Sequence, residues 1–204
     1  MDDGVISPGF QGRRPAPGER ARIPPGQYLE QGFPVLTAGP SPRPVPPGDW
    51  DFRLQGPDGA VLRRWTWAEI QALPHEDVLC DIHCVTQWSK LDTRWRGVSL
   101  DLLLQDAPAA DFVLACCDGG YTTDLPRAEL LGGRAWIADT FAGAPLARAH
   151  GGPVRLLVPH LYFWKSAKWV RGLRLCAQNT PGFWEQRGYH HLGDPWREQR
   201  FWND

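Results

Sequence analysis

Apolar and polar residues alternate in short bursts along this chain, and the bursts begin in earnest only near Trp50. Trp50 to Gln55 alternates with period two, as a half-buried strand does. Gly56-Pro57-Asp58-Gly59 is turn chemistry and leads into a second short strand. Thr66-Trp67-Ala68-Glu69 has capping-box spacing, which opens a helix that stops at Pro74. Val78 to Val85 reads as a strand with Cys80, Ile82 and Cys84 on one face and His83 on the other. Ser99 can cap a short helix through Leu104, ended by Pro108, and Phe112 to Cys116 predicts a buried strand closed by Asp118-Gly119-Gly120. Arg134 to Asp139, Val154 to Val158 and Trp169 to Leu175 supply further strands. The helices are short and no regular strand–helix alternation appears, so the fold class is α+β with mixed sheets, not a doubly wound sheet.

Before Trp50 the pattern is different. Residues 1–48 are dominated by Pro, Gly and Arg without apolar periodicity, and read as a partly disordered leader to a domain spanning 49–204. Phe33 to Gly39 is the one apolar stretch there and is expected to dock on the domain. Arg13-Arg14 is followed by Pro, Gly and charged residues where a twin-arginine signal would have an apolar run, so it reads as a basic pair in a flexible tail.

The chain has 204 residues, 42% of them hydrophobic, which suits one domain with a real core. A net charge of −1 gives no basic excess for a phosphate backbone, so nucleic acid is a poor partner. No apolar run is long enough for a membrane span. Five cysteines, an odd set without an export signal, point to free thiols or metal ligation and to a cytoplasmic protein. Eleven Trp with abundant Gly and Pro suggest a loop-rich domain around an aromatic cavity, although bulky core packing uses the same residues.

Three segments offer chemistry. In the first, Cys84 ends a strand and enters a polar turn, where a thiolate can face a cavity; by residue type alone it is a small buried apolar side chain. In the second, His150-Gly151-Gly152-Pro153-Val154-Arg155, two glycines let backbone approach a flat ligand, and Arg155 enters an apolar strand. A guanidinium there must pair with a carboxylate or hold an anion. In the third, Lys165, Ser166 and Lys168 set two ammonium groups and a hydroxyl among aromatic residues, which suits a phosphate; alone, it would be a strand-edge lysine pair. Dinucleotide, P-loop, zincin and covalent-haem motifs are missing, and Cys80-x₃-Cys84 lacks a second pair at structural-zinc spacing.

Taken in order, several motifs make the chain resemble the sulfite oxidase superfamily. These are Cys84-Val85 with Trp88-Ser89, Trp95-x-Gly97-Val98, Asp118-Gly119-Gly120-Tyr121-Thr122-Thr123, His150 to Arg155, and Lys165-Ser166-Ala167-Lys168-Trp169. The resemblance is nearest to the single-domain branch shared with bacterial methionine-sulfoxide reductase catalytic subunits, and it covers residues from about Ile23 to the C-terminus. It implies a molybdopterin-binding domain carrying molybdenum and one pterin dithiolene, with Cys84 as the protein thiolate on the metal. It places His150 and Arg155 on the pterin, Ser166, Ala167 and Lys168 with adjacent Lys165 on its phosphate, and Leu36 and Thr37 over it. Cys117 and Asp118 fall near another cofactor contact, and Tyr121 could face the substrate. Trp88, Trp95 and Trp164 are candidate channel walls.

The implied reaction is two-electron oxygen-atom transfer to or from a small substrate, with molybdenum alternating between its +6 and +4 states. Electrons would pass to or from an external haem or flavin protein. Sulfite oxidases of vertebrates carry an Arg-Asn-His stretch where this chain has Phe33-Pro34-Val35-Leu36-Thr37-Ala38-Gly39, so sulfite itself is in doubt as substrate. Two rival readings remain open at this point: a thiol enzyme with Cys84 as nucleophile and His83 or His150 as base, and a zinc-binding module built on Cys80, Cys84 and a nearby His.

Overall fold

The computed structural model describes residues 12–204. In chain order it contains β1 (Gly12–Arg13), α1 (Pro17–Arg20), β2 (Tyr28–Glu30), β3 (Asp51–Gln55), β4 (Val61–Thr66) and α2 (Trp67–Ala72). There follow β5 (Glu76–His83), β6 (Trp88–Ser99), α3 (Leu100–Leu104), β7 (Phe112–Cys117) and β8 (Thr122–Pro126). The chain closes with β9 (Trp136–Phe141), β10 (Ala144–Pro145), β11 (Arg155–Leu157) and β12 (Val170–Cys176).

The strands form two mixed sheets. In the five-stranded sheet the order is β4-β3-β12-β7-β8, with β12 parallel to β3 and antiparallel to β7. In the other sheet β5 and β6 form a long antiparallel hairpin. The far edge of β6 pairs with β2 at one end and β9 at the other, and β11 adds to β9. This α+β architecture of mixed sheets and short helices is the class the pattern predicts.

Local chemistry accounts for the short helices. Thr66 Oγ1 accepts from Glu69 N–H at 3.3 Å, while Glu69 Oε2 accepts from Thr66 N–H at 2.7 Å, so two orphan donors at the α2 start are satisfied together. Leu73 leaves helical geometry because Pro74 follows. Ser99 Oγ accepts from Asp101 N–H at 3.2 Å and starts α3.

Among the strands in places the pattern did not mark are β6 and β2. β6, the longest, has exposed Asp92, Arg94 and Arg96 alternating with buried Thr93, Trp95 and Gly97. Gly97 is required there, since a Cβ would run into the Ile137 carbonyl and sit 2.8 Å from Ala138 Cα on β9. β2 arises inside the Pro-rich segment, where Tyr28 pairs with Trp88 and Leu29 with Ser89, so this segment adds a strand to the same sheet.

Buried side chains divide into two clusters. The larger fills the space around the five-stranded sheet with Trp50, Phe52, Val113, Leu125, Leu156 and Leu173 among others. The smaller gathers Ile82, Cys84, Trp88, Trp95, Trp136 and Leu157, with Phe33 and Phe163 packed on it. Cys84 therefore sits at the edge of an aromatic cluster, on the same side as Cys80 and Ile82.

Candidate active site

Cys84 is the first residue past β5, in the tight turn of the β5–β6 hairpin. Its N–H donates to Trp88 O at 2.8 Å, and its carbonyl accepts from Gln87 N at 3.0 Å and Gln27 Nε2 at 3.0 Å. Gln87 closes the turn with φ of 72°. The backbone is thus held on three sides while the sulfur is left to face a cleft. Thr86 Oγ1 donates to Cys84 Sγ at 3.1 Å. Burial pushes the Cys84 thiol up, opposed by the Thr86 hydroxyl, the Thr86 and Val85 backbone N–H groups and the Lys168 charge. A site that aims donors at a buried sulfur favours thiolate once a cation is present to neutralise it.

The cleft has a volume of about 630 Å³. Its apolar wall is aromatic, from Phe33, Trp88, Phe163, Trp164 and Trp169. At its base lies Arg155, 1% exposed. The guanidinium donates to His150 O at 2.9 Å and Ser166 O at 2.5 Å and stacks 4.1 Å from the centroid of Phe163. Among the described residues no carboxylate pairs with it. Burial lowers its pKa to about 9. Lys168 donates to Ala149 O at 2.7 Å, and burial with the Arg155 charge brings it down to about 7. His150 lies flat on Phe33, ring centroids 3.9 Å apart at 7°, and is held near 4 by burial and the two cations. Its Nδ1 is buried without a hydrogen-bond partner among the described residues.

Two cations that repel each other, an orphaned ring nitrogen and a thiol sulfur thus share one flat-walled cleft. Such a set is unsatisfied by the described residues alone. It fits a flat heterocycle carrying a phosphate, with a soft metal at the sulfur end.

The comparisons with known proteins agree with that fit. Residues 38–184 match the family model described as the oxidoreductase molybdopterin binding domain. The chain belongs to this family. It is 40% identical over 187 residues to the uncharacterized oxidoreductase YuiH of Bacillus subtilis (strain 168), covering 90% of this chain and 93% of that protein. It is 29% identical over 132 residues to a putative protein-methionine-sulfoxide reductase subunit YedZ1 of Azospira oryzae, and 26% identical over 205 residues to Gallus gallus sulfite oxidase. Those matches cover 63% and 81% of this chain but only 50% and 44% of the two relatives. The sulfane dehydrogenase SoxCD of Paracoccus pantotrophus shares the fold, with a TM-score of 0.59 at 18% identity over 72% of this chain and 42% of that one. The protein is an oxidoreductase of the sulfite oxidase superfamily, and its cofactor is molybdenum with molybdopterin.

Within this molybdopterin domain, most residues singled out from the sequence line the same cleft: Leu36, Thr37, Cys84, Asp118, Tyr121, His150, Arg155, Ser166, Ala167 and Lys168. The lash that joins them is Leu156 N–H to Ala167 O at 2.8 Å, which fixes residues 166–168 against β11. Ser166 Oγ accepts from Val158 N–H at 2.9 Å, leaving its own proton to donate. Asp118 faces Arg171 at 3.4 Å. The Tyr121 hydroxyl donates to Trp164 O at 2.9 Å. Among the candidate channel walls Trp88 and Trp164 line the cleft, whereas Trp95 lies behind it under Phe33 and Arg155.

Lys165 and Cys117 are the exceptions. The Lys165 ammonium is wholly buried and turned away from the cleft, 2.6 Å from Glu185 Oε1 and 2.6 Å from Asp124 O. It is already neutralised there, so the expectation that it joins Lys168 on a phosphate is corrected. Cys117 packs against the larger core cluster behind Tyr121, not on the cleft wall. Gly151 and Gly152 serve the protein's own packing. A Cβ on Gly151 would press on Lys168 and Arg155, and one on Gly152 would strike the Leu146 carbonyl, so these glycines admit protein backbone rather than ligand. Sequence reasoning passed over Thr86 and Phe163, although a hydroxyl two residues past a cysteine is a recognisable local donor.

Neither rival reading gathers its parts. The His83 ring is bonded through Nδ1 to Ser89 Oγ at 2.9 Å, and among the described residues no histidine is hydrogen-bonded to Cys84. Among the described residues no group of three or more His, Cys, Asp or Glu could hold a metal ion on its own. All five cysteines are free. No helix among the described residues is long and apolar enough to cross a membrane.

Proposed function

We propose that this protein transfers one oxygen atom to or from a small substrate such as a sulfoxide or sulfite, exchanging two electrons with an external haem or flavin protein. The carrying observation is that the Cys84 sulfur and two cations without carboxylate partners among the described residues, Arg155 and Lys168, open into one aromatic cleft. The bound cofactor supplies the oxo-transfer chemistry. Cys84 donates its thiolate to the metal, and Thr86 orients that sulfur by its hydrogen bond. Arg155, Lys168 and the Ser166 hydroxyl, with the Ala167 backbone, offset the phosphate, while His150 offers its free Nδ1 to the pterin. Leu36 and Thr37 cover the heterocycle, and Asp118 borders it. Tyr121 faces the substrate side, its hydroxyl fixed on Trp164 O so that the phenol wall cannot swing. A cytoplasmic setting suits five free thiols.

The names of the relatives, a methionine-sulfoxide reductase subunit and sulfite oxidase, support this substrate range. The test is a screen of molybdenum-loaded protein with reduced viologen against sulfoxides, N-oxides and nitrate, and with ferricyanide against sulfite. Turnover with a small oxide, lost in Cys84→Ser, is expected. A fully loaded protein that turns over none of them in either direction contradicts the proposal.

A further inference from the structure

The lysine that the cofactor cleft does not use has an unusual setting. Lys165, Asp124 and Glu185 are 0%, 1% and 0% exposed in their side chains. Glu185 Oε1 accepts from Lys165 Nζ at 2.6 Å, Thr123 Oγ1 at 2.9 Å and Trp164 Nε1 at 3.2 Å. Asp124 is supported far less well. Among the described residues neither of its buried oxygens has a hydrogen-bond partner; Lys165 Nζ is 3.6 Å away, and His191 Nδ1, which accepts from Asn179 Nδ2 at 2.8 Å, is 3.9 Å away on the other side. His191 is half exposed. Two carboxylates around one ammonium leave a net negative charge in a dry site, and such a site keeps a proton to remain neutral.

The cluster stands directly behind the substrate-side wall. Glu185 holds the indole of Trp164, and its charge also bears on Tyr121; both aromatic residues line the cleft. The groups therefore lie in order from solvent at His191 through Asp124 and Lys165 to Glu185, which accepts from the Trp164 indole of the cleft wall.

We propose that Asp124, Lys165 and Glu185 form a proton store with His191 as its port to solvent, and that it feeds protons to the cleft. This rests on the oxygen-transfer reading above. When an oxide is reduced, two electrons arrive from the external redox protein, two protons are taken up, and the oxygen leaves as water; in the opposite direction the two protons of water depart by the same route. The store supplies or receives those protons, and His191 replenishes it. The other groups facing it are Tyr121 and His190, the latter sensing the Lys165 charge. Burial holds the Asp124 carboxyl above the ordinary carboxylate range, opposed by Lys165.

Infrared difference spectroscopy of the full chain tests the store without reference to turnover. At neutral pH the wild-type protein should show the carbonyl stretch of a protonated buried carboxylic acid, shifted in heavy water and missing in Asp124→Asn. Asp124→Asn with unchanged molybdenum content should lose turnover on the order of 100-fold, most at high pH. His191→Ala, at a half-exposed position, should slow turnover in a manner that added imidazole restores, and it serves where Asp124→Asn fails to fold. A wild-type spectrum without the band, a band that survives in Asp124→Asn, or His191→Ala behaving as wild type overturns the proposal. If the band is present but no oxide or sulfite is ever turned over, the oxygen-transfer reading falls and the proton store stands.

Discussion

Replacing Arg155 by Met separates the needs of the empty cleft from those of the filled one. In the cofactor-free protein the guanidinium is fully buried, and burial brings it well below its ordinary value, to about 9. That difference corresponds to a charge cost of about 5 kcal/mol. Against it stand the hydrogen bonds to the carbonyls of His150 and Ser166, each worth roughly 1.5–3 kcal/mol with a charged donor, and a long, weaker one to Leu156 O at 3.4 Å. The two terms nearly cancel, so Arg155→Met should change the stability of the cofactor-free protein by no more than about 2 kcal/mol. With the cofactor bound, the variant loses a buried partner for an anion, roughly 2–5 kcal/mol, or on the order of 30- to several-thousand-fold in affinity. Molybdenum and pterin per chain, with denaturant unfolding of the cofactor-free form, give both numbers. Wild-type occupancy in Arg155→Met, or a cofactor-free variant destabilised by far more than its lost bonds, would refute the assignment of Arg155 to an anion.

Three further outcomes follow from the same geometry. Lys168 has a folded-state value of about 7 against an ordinary 10.5, so an anion that restores its charge must bring in a proton above pH 7. Affinity for a phosphate-bearing pterin should then fall by up to about tenfold per pH unit above pH 7, and calorimetry in buffers of different ionisation heat should register proton uptake; buffer-independent heats would contradict this. His83 is held near 4 by burial, below its ordinary 6.5, so the unfolded chain binds the proton that the folded one refuses. Its contribution is present above pH 6.5 and is lost as pH falls towards 4, on the order of 3 kcal/mol, and His83→Asn should flatten that acid limb of a denaturation series. Gly97→Ala should cost roughly 1–3 kcal/mol in thermal or denaturant unfolding, because its Cβ meets the backbone of Ile137 and Ala138 with nothing flexible to move.

The short elements with explicit chemistry were legible in the sequence. The capping box at Thr66, the Ser99 cap and the strands around Phe112, Val154 and Trp169 carry their own signals, and the structure contains them. β6 was not, because the inward positions of its regular half are Thr93, Trp95 and Gly97, so the period of two is not a period of hydrophobicity. β8 is hidden for a like reason, with Thr123 and Asp124 buried for the sake of Glu185 and Lys165. β2 is a strand only because β6 offers it an edge, a tertiary circumstance that local composition does not record.

At the site, residue types and order were enough to bring Cys84, His150, Arg155, Ser166 and Lys168 under suspicion. They could not tell which of Lys165 and Lys168 faces the cleft, since residues 165–169 are neither helix nor strand and have no period. The buried acids behind Lys165 decide it, and they come from β8 and the C-terminal segment.

The central claim is that the Cys84 sulfur is bonded to the metal of the bound cofactor. X-ray absorption at the molybdenum edge measures it most directly, on wild-type protein and on Cys84→Ser prepared with equal pterin content. The account predicts that the serine variant loses a single sulfur neighbour of the metal and gains a lighter one. Identical sulfur shells in the two proteins would contradict it.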